Sequence, residues 1–248
     1  MCANYIPASP ALLQGYFGVG VPDSPYPLES FPGYLSPIIR KPRADAGIGE
    51  RSAALAMFGM VPHWAEPKLA RQTYNARTET VASKPSYRHA FQHGQFCIVP
   101  AATIFEPCYE SGKAERFGIS AAREEALGVA AIWEVKQQGD GGLALLSFSM
   151  LTINADEHPL MRRFHRPDDE KRMLVFLRPD QYDAWLHCKP AQAAEFFNPL
   201  PADELIAAPA PRPTAERVRT AAAPLRRPKA RPKLSPAGDP QSALDLDS

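Results

Sequence analysis

Five short runs of β-branched and apolar residues constrain this chain more than any other feature: FCIV at 96–99, RFGIS at 116–120, LGVAAIW at 127–133, LALLSFSMLTI at 143–153 and MLVFL at 173–177. Most have the length of a strand, and turn-forming residues bound them. A GDGG sequence at 139–142 separates the third run from the fourth and predicts a hairpin. Helices are expected at 78–83, 154–162, 180–187 and 191–197, the third opened by Pro179 and Asp180. Strands in succession with a few helices between them make an α+β fold, here β-rich, rather than a regular parallel alternation. With 248 residues, 45% of them hydrophobic, the chain has material for one sizeable core.

Prolines set the boundaries of that core. Of the 27 prolines, ten lie in the first 67 residues and ten beyond residue 198. The folded domain is expected over 2–205 and a disordered Pro/Ala/Arg-rich tail over 206–248, where almost no large apolar side chain is present to repay the entropy of ordering. A basic LRRPKARPK segment lies in that tail and could attract phosphates without regard to base sequence. No stretch is apolar for the roughly 18 residues a membrane helix needs, and the N-terminus lacks a signal-peptide layout, so a cytoplasmic protein without membrane contact is expected. Cys2, Cys97, Cys108 and Cys188 form no C-x-x-C pair, which argues for reduced thiols and against a zinc site. No metal and no cofactor is expected. The net charge of +1 neither requires nor excludes a nucleic-acid partner, because a local basic groove can exist on a neutral protein.

Four stretches carry candidate chemistry. Cys2 becomes the first residue once Met1 is removed, and an α-amine of pKa about 7.7–8.0 then sits beside a thiol. Such an amine is partly neutral at pH 7 and attacks an aldehyde; the thiol can then close a five-membered thiazolidine on the imine carbon. TYNARTETV at 73–81 offers Asn75, a capping or positioning amide, and Arg77, a fork suited to phosphate or to a surface ion pair. Glu106 follows an apolar stretch at a strand end, where burial would raise its pKa toward general acid or base work. His165 precedes a polar turn and a returning strand; His158, at a loop-to-helix junction before Pro159, ranks behind it.

These stretches, in this order, resemble the SOS-response-associated peptidase family of abasic-site processing proteins. The matching text is Cys2, FGMVPHW at 58–64, NARTET at 75–80, CIVPAATIFEP at 97–107, AAIWE at 130–134 and His165 followed by Arg172 and Met173. The resemblance implies Cys2 as nucleophile, Asn75 as a positioner of the amine and sugar, Glu106 and His165 as an acid/base pair, and Arg77 as a phosphate contact. It also implies capture of the ring-opened aldehyde of an abasic site in single-stranded DNA, in the DNA damage (SOS) response, and an autopeptidase or lyase activity. A monomer, nucleoid-associated when bound to DNA, is expected. Arg162, Arg163 and Trp64 are further candidate DNA contacts, with Phe91 as an alternative base-stacking ring. The chain departs from the family pattern in having Asn4 where an arginine is usual and Pro107 where an aromatic follows the glutamate.

Two other readings stay open. A thiol peptidase acting on other proteins would pair Cys2 with His165 and leave the α-amine idle. A non-catalytic single-stranded-DNA-binding protein would need the arginines and not Cys2.

Overall fold

The computed structural model describes residues 2–137 and 144–212. Each of the five apolar runs supplies residues to a strand. In chain order the strands are β1 (Tyr5–Pro7), β2 (Leu35–Arg40), β3 (Ser52–Phe58), β4 (Asn75–Arg77), β5 (Phe96–Cys108), β6 (Glu115–Ala121), β7 (Leu127–Lys136), β8 (Leu145–Asn154), β9 (Arg172–Leu174), β10 (Phe176–Leu177) and β11 (Leu205–Pro209). The GDGG turn lies outside the described residues, but β7 and β8 pair antiparallel as that turn requires, from Ala131 opposite Met150 to Lys136 opposite Leu145.

The sheet closes on itself. β7 pairs with β8, β8 with β3, β3 with β2, β2 with β5, and β5 returns to β7, so five strands form a barrel with no exposed edge. β5 is the organising element because its thirteen residues serve two sets of neighbours. Phe96–Ala101 pair with β7 inside the barrel, whereas Ile104–Cys108 pair with β6 beyond it. β1 also lies against this second half, with Tyr5 opposite Ile104. The long strand thus carries Glu106 out of the barrel to the place where the N-terminal strand is held.

Aromatic packing fills the interior. Phe58 stacks on Phe148 with centroids 5.3 Å apart, and Tyr5 meets Phe58 edge-on at 5.3 Å. Trp185, from the helix Tyr182–His187, is fully buried against Phe96, and its indole N–H donates to the Cys97 carbonyl at 2.8 Å. At the end of β3, Gly59 has φ +110°, and a Cβ there would stand 2.1 Å from the Ala70 carbonyl oxygen, so only glycine fits.

Several expectations are corrected. Residues 78–83 are turns rather than a helix, because the Thr78 amide donates to Thr152 and prolongs the β4–β8 pairing. The 154–162 segment is turns with one 3₁₀ turn, Met161–Arg163. The 191–197 segment is a 3₁₀ helix, Pro190–Phe196, and only Tyr182–His187 is α-helical within 180–187. The expected tail boundary at 206 cuts into β11, which is held by main-chain pairing to β6 rather than by large side chains, and the described chain continues to Arg212.

Candidate active site

Cys2, Asn75, Glu106 and His165, separated by up to 163 positions in sequence, converge at the second half of β5. Cys2 is 1% exposed. Its thiol donates to the Asn4 carbonyl at 3.3 Å, and its own carbonyl accepts from Asn75 Nδ2 at 2.7 Å. Burial, reinforced by the nearby Glu106 charge, pushes the thiol up to about 12. Asn75 is set in place by the parallel pairing of β4 with β8, opposite Met150, and Tyr87 donates to its carbonyl at 3.0 Å. Asn75 Oδ1 is buried and receives no hydrogen bond among the described residues.

Glu106 is 2% exposed, and burial pushes its carboxyl from the usual 4.5 up to about 7. His165 lies 3.6 Å from it, Nδ1 to Oε2. The histidine occupies the left-handed region at φ +64°, alone among the described non-glycine residues, and its amide donates to the Pro107 carbonyl at 2.8 Å. Its Nε2 lies 3.2 Å from the Arg172 carbonyl. A carbonyl only accepts, so Nε2 carries the hydrogen and Nδ1 turns its lone pair toward Glu106. Burial holds the imidazole down at about 4, neutral at pH 7.

Arg172, whose role the sequence did not disclose, locks the two halves of this cluster together. It is 2% exposed and grips Glu79 with two bonds of 2.8 and 2.9 Å, Glu170 at 2.7 Å and the Thr152 carbonyl at 2.7 Å. Glu79 belongs to the segment that supplies Asn75, and the Arg172 main chain orients His165. An arginine three residues before VFL in a strand gives no sequence signal of this; only the acids at 79 and 170 hint at it. Asn4 is a second residue whose part was missed. Its carbonyl accepts from Phe105 N at 3.0 Å, its Nδ2 donates to Ser30, and its Oδ1 accepts from Arg116 at 2.8 Å. Arg116 in turn lies 3.3 Å over the Phe105 ring and pairs with Glu29.

The other predicted contacts are spread around this centre. Arg77 is half exposed and bound to Glu170 at 2.8 Å, so the surface ion pair is realised. Arg163 is held bidentate by Glu110, while Arg162 is exposed, and both line a cavity of about 310 Å³ together with His165 and Lys171. A second cavity, of about 410 Å³, is lined by Glu106, Phe105 and Asn4. Trp64 is 58% exposed, in the loop after β3. Phe91 is packed into the core at 8% exposure and cannot stack on a base; the helix Arg88–Gln92 turns it onto Phe96. His158 is likewise buried away from the cluster, bonded to the Leu200 carbonyl at 2.8 Å.

Comparison with known proteins places the chain in a family. The chain belongs to the SOS response associated peptidase (SRAP) family, which it matches over residues 7–214. It is 28% identical to the abasic site processing protein YoqW of Bacillus subtilis over 153 residues, 60% of this chain and 64% of that protein. With the abasic site processing protein HMCES of Xenopus tropicalis it shares 25% identity over 134 residues, 46% of this chain and 40% of that one. The chain therefore spans under two thirds of the length of these relatives. A crystal structure of a Bordetella bronchiseptica protein superimposes with a TM-score of 0.76 at 34% identity, covering 85% of this chain and all of that one. A Bacteroides thetaiotaomicron protein shares the fold with a TM-score of 0.70 at 19% identity, over 85% of this chain and 93% of that one.

Proposed function

We propose that this protein captures abasic sites in single-stranded DNA as a covalent thiazolidine on Cys2, exposed by removal of Met1. The observation that carries the reading is the convergence of Cys2, able to offer a terminal amine and thiol together, with Asn75 on the buried carboxyl of Glu106, which burial raises to about 7. The relatives' names, abasic site processing proteins, point the same way.

The chemistry follows from the groups. The neutral α-amine of Cys2 adds to C1′ of the ring-opened sugar aldehyde, giving a carbinolamine. Glu106, whose carboxyl burial raises to about 7, gives a proton to the departing hydroxyl, and water leaves as the imine forms. The thiol then adds its sulfur to the imine carbon, and its proton passes to the Glu106 carboxylate. The sum is aldehyde plus aminothiol giving thiazolidine plus one water. His165, neutral with a lone pair toward Glu106, receives or returns the proton as the carboxyl changes state. Asn75 holds the Cys2 carbonyl through Nδ2 and keeps Oδ1 for a donor on the amine or sugar. Arg77, Arg162 and Arg163 contact phosphates and Trp64 stacks on a base. No step needs a metal. The protein works as a cytoplasmic monomer and joins the nucleoid when on DNA.

Hydrolysis of the Met1–Cys2 bond, by this site or by an aminopeptidase, precedes capture. A general thiol protease fits less well, since the Cys2 thiol is held protonated and bonded to a carbonyl rather than an imidazole. The test mixes purified protein with single-stranded DNA carrying one abasic site, denatures by boiling in detergent, and compares Cys2→Ala on a denaturing gel. A retarded band that requires Cys2 supports the reading; equal bands from both proteins, or none from the parent with Met1 verified absent, overturn it.

A further inference from the structure

A second cationic surface lies at the opposite end of β5 from Glu106. Phe96 and Glu106 are ten residues apart on that strand, at most about 33 Å. Beside Phe96 a cavity of about 330 Å³ is lined by Arg40, Lys41, Arg43, His89 and His93 with no carboxylate among its walls. Arg43 is matched by Asp45 and Glu50, each at 3.0 Å. Among the described residues no ion pair engages Arg40 or Lys41. The Arg40 guanidinium is fixed in place, 4.7 Å over the Trp133 ring and bonded to the Lys41 carbonyl at 3.3 Å, so a cation is preorganised there without a counter-charge.

The surface continues from this cavity. The His93 ring lies 4.3 Å from that of His89, and His89 lies 6.1 Å from His63. Both His89 and His63 turn Nδ1 to one buried oxygen of Glu134, at 3.2 and 3.8 Å, which leaves their Nε2 edges outward. His63 adjoins Trp64, the exposed indole. Unmatched cations, outward imidazole edges and an exposed aromatic ring in sequence are the elements with which proteins track a single-stranded phosphodiester backbone. A protein or peptide partner would need acidic groups at the same spacing, whereas a single strand supplies phosphates at a regular interval and bases that stack on the indole.

We propose that Arg40 and Lys41, with His89 and His93, form a second phosphate-binding stretch that holds the DNA strand flanking the abasic residue. The proposal rests on the DNA reading given above. The experiment measures non-covalent affinity for single-stranded DNA against salt, using a Cys2→Ala background so that no adduct forms. The full chain is compared with its Arg40→Gln/Lys41→Gln double variant on oligonucleotides of about 20 and about 5 nucleotides. Losing two phosphate contacts lowers the salt slope by about 1.4 and weakens the longer oligonucleotide about 10-fold, while Arg40→Lys/Lys41→Arg keeps the parent slope. An unchanged slope overturns the proposal. So does an equal loss on the 5-mer, which would report a disturbed fold rather than a distant contact. Failure of the capture reading looks different: the parent with Cys2 intact would bind both oligonucleotides and form no adduct.

Discussion

Replacing Glu106 by Gln tests the acid/base assignment through stability alone, without any DNA. Glu106 titrates at about 7 in the fold against 4.5 when ordinary, so between these pH values the folded chain keeps a proton that the unfolded chain has lost. A raised carboxyl stabilises the fold below 4.5, and that contribution disappears as pH rises through 7. At about 1.4 kcal/mol per pH unit the loss amounts to about 3 kcal/mol. Glutamine is neutral throughout and escapes it, so the Glu106→Gln protein gains about 3 kcal/mol relative to the parent between pH 4.5 and 8. His165 has the opposite sign. Its fold value of about 4 lies below the ordinary 6.5, so the unfolded chain binds the extra proton and stability is lost as pH falls from 6.5 to 4. His165→Gln therefore gains on the parent toward acid, by up to about 3 kcal/mol. Urea titrations of the three proteins at half-unit pH steps give the differences directly, and carboxylates common to all three cancel. Relative stabilities that stay flat across pH 4.5–8 would refute the claim that Glu106 is held protonated by burial.

Three other substitutions probe the scaffold. Arg172→Met removes the grip on Glu79, Glu170 and Thr152 and leaves the buried Thr152 carbonyl without its donor, while the exposed acids turn to water; it should cost about 1–3 kcal/mol in chemical denaturation and slow adduct formation, because the segment that carries Asn75 loses its tie to β9. Asn4→Arg puts a second guanidinium against Arg116 Nη2 and should cost about 1–3 kcal/mol by thermal melting, largely recovered in Asn4→Arg/Arg116→Gln, which leaves Glu29 one guanidinium to pair with. Gly59→Ala forces a Cβ into the Ala70 carbonyl at positive φ and should give little soluble folded protein, whereas Ala at Gly20, which has open space and no positive φ, should be tolerated in the same expression trial.

The strands that could be read in the sequence were those whose large apolar side chains face other layers, such as LGVAAIW and FCIV. β2 and β3 escaped notice for a physical reason. β2 contains Pro37, tolerated because β2 meets β5 only at Ile39 opposite Ile98 and no bond is needed from residue 37 on that side. β3 reads SAALAMF, whose alanines have no strand preference and are carried by pairing with β2, while Met57 and Phe58 reach β8. β4 and β11 are short and are held almost wholly by neighbours. The Thr and Glu after Arg77 looked like a helix start, yet Glu79 serves Arg172, a partner 93 positions away that local propensity cannot register. In the same way the four residues of the cluster were legible one by one, while the bonds that assemble them, Asn75 to Cys2 and Arg172 to His165, exist only in the fold. The departure at Asn4 acquires a reason there too, since Arg116 already brings a guanidinium to that point.

The central claim is that the terminal cysteine carries the DNA, and the most direct measurement is to digest the boiled adduct with protease and nuclease and sequence the attached peptide by mass spectrometry. The account predicts a peptide beginning at Cys2, without Met1, bearing the sugar remnant with the mass of one water lost and formed without any added reductant. Attachment at a lysine, or at Cys2 with Met1 still in place, would contradict it.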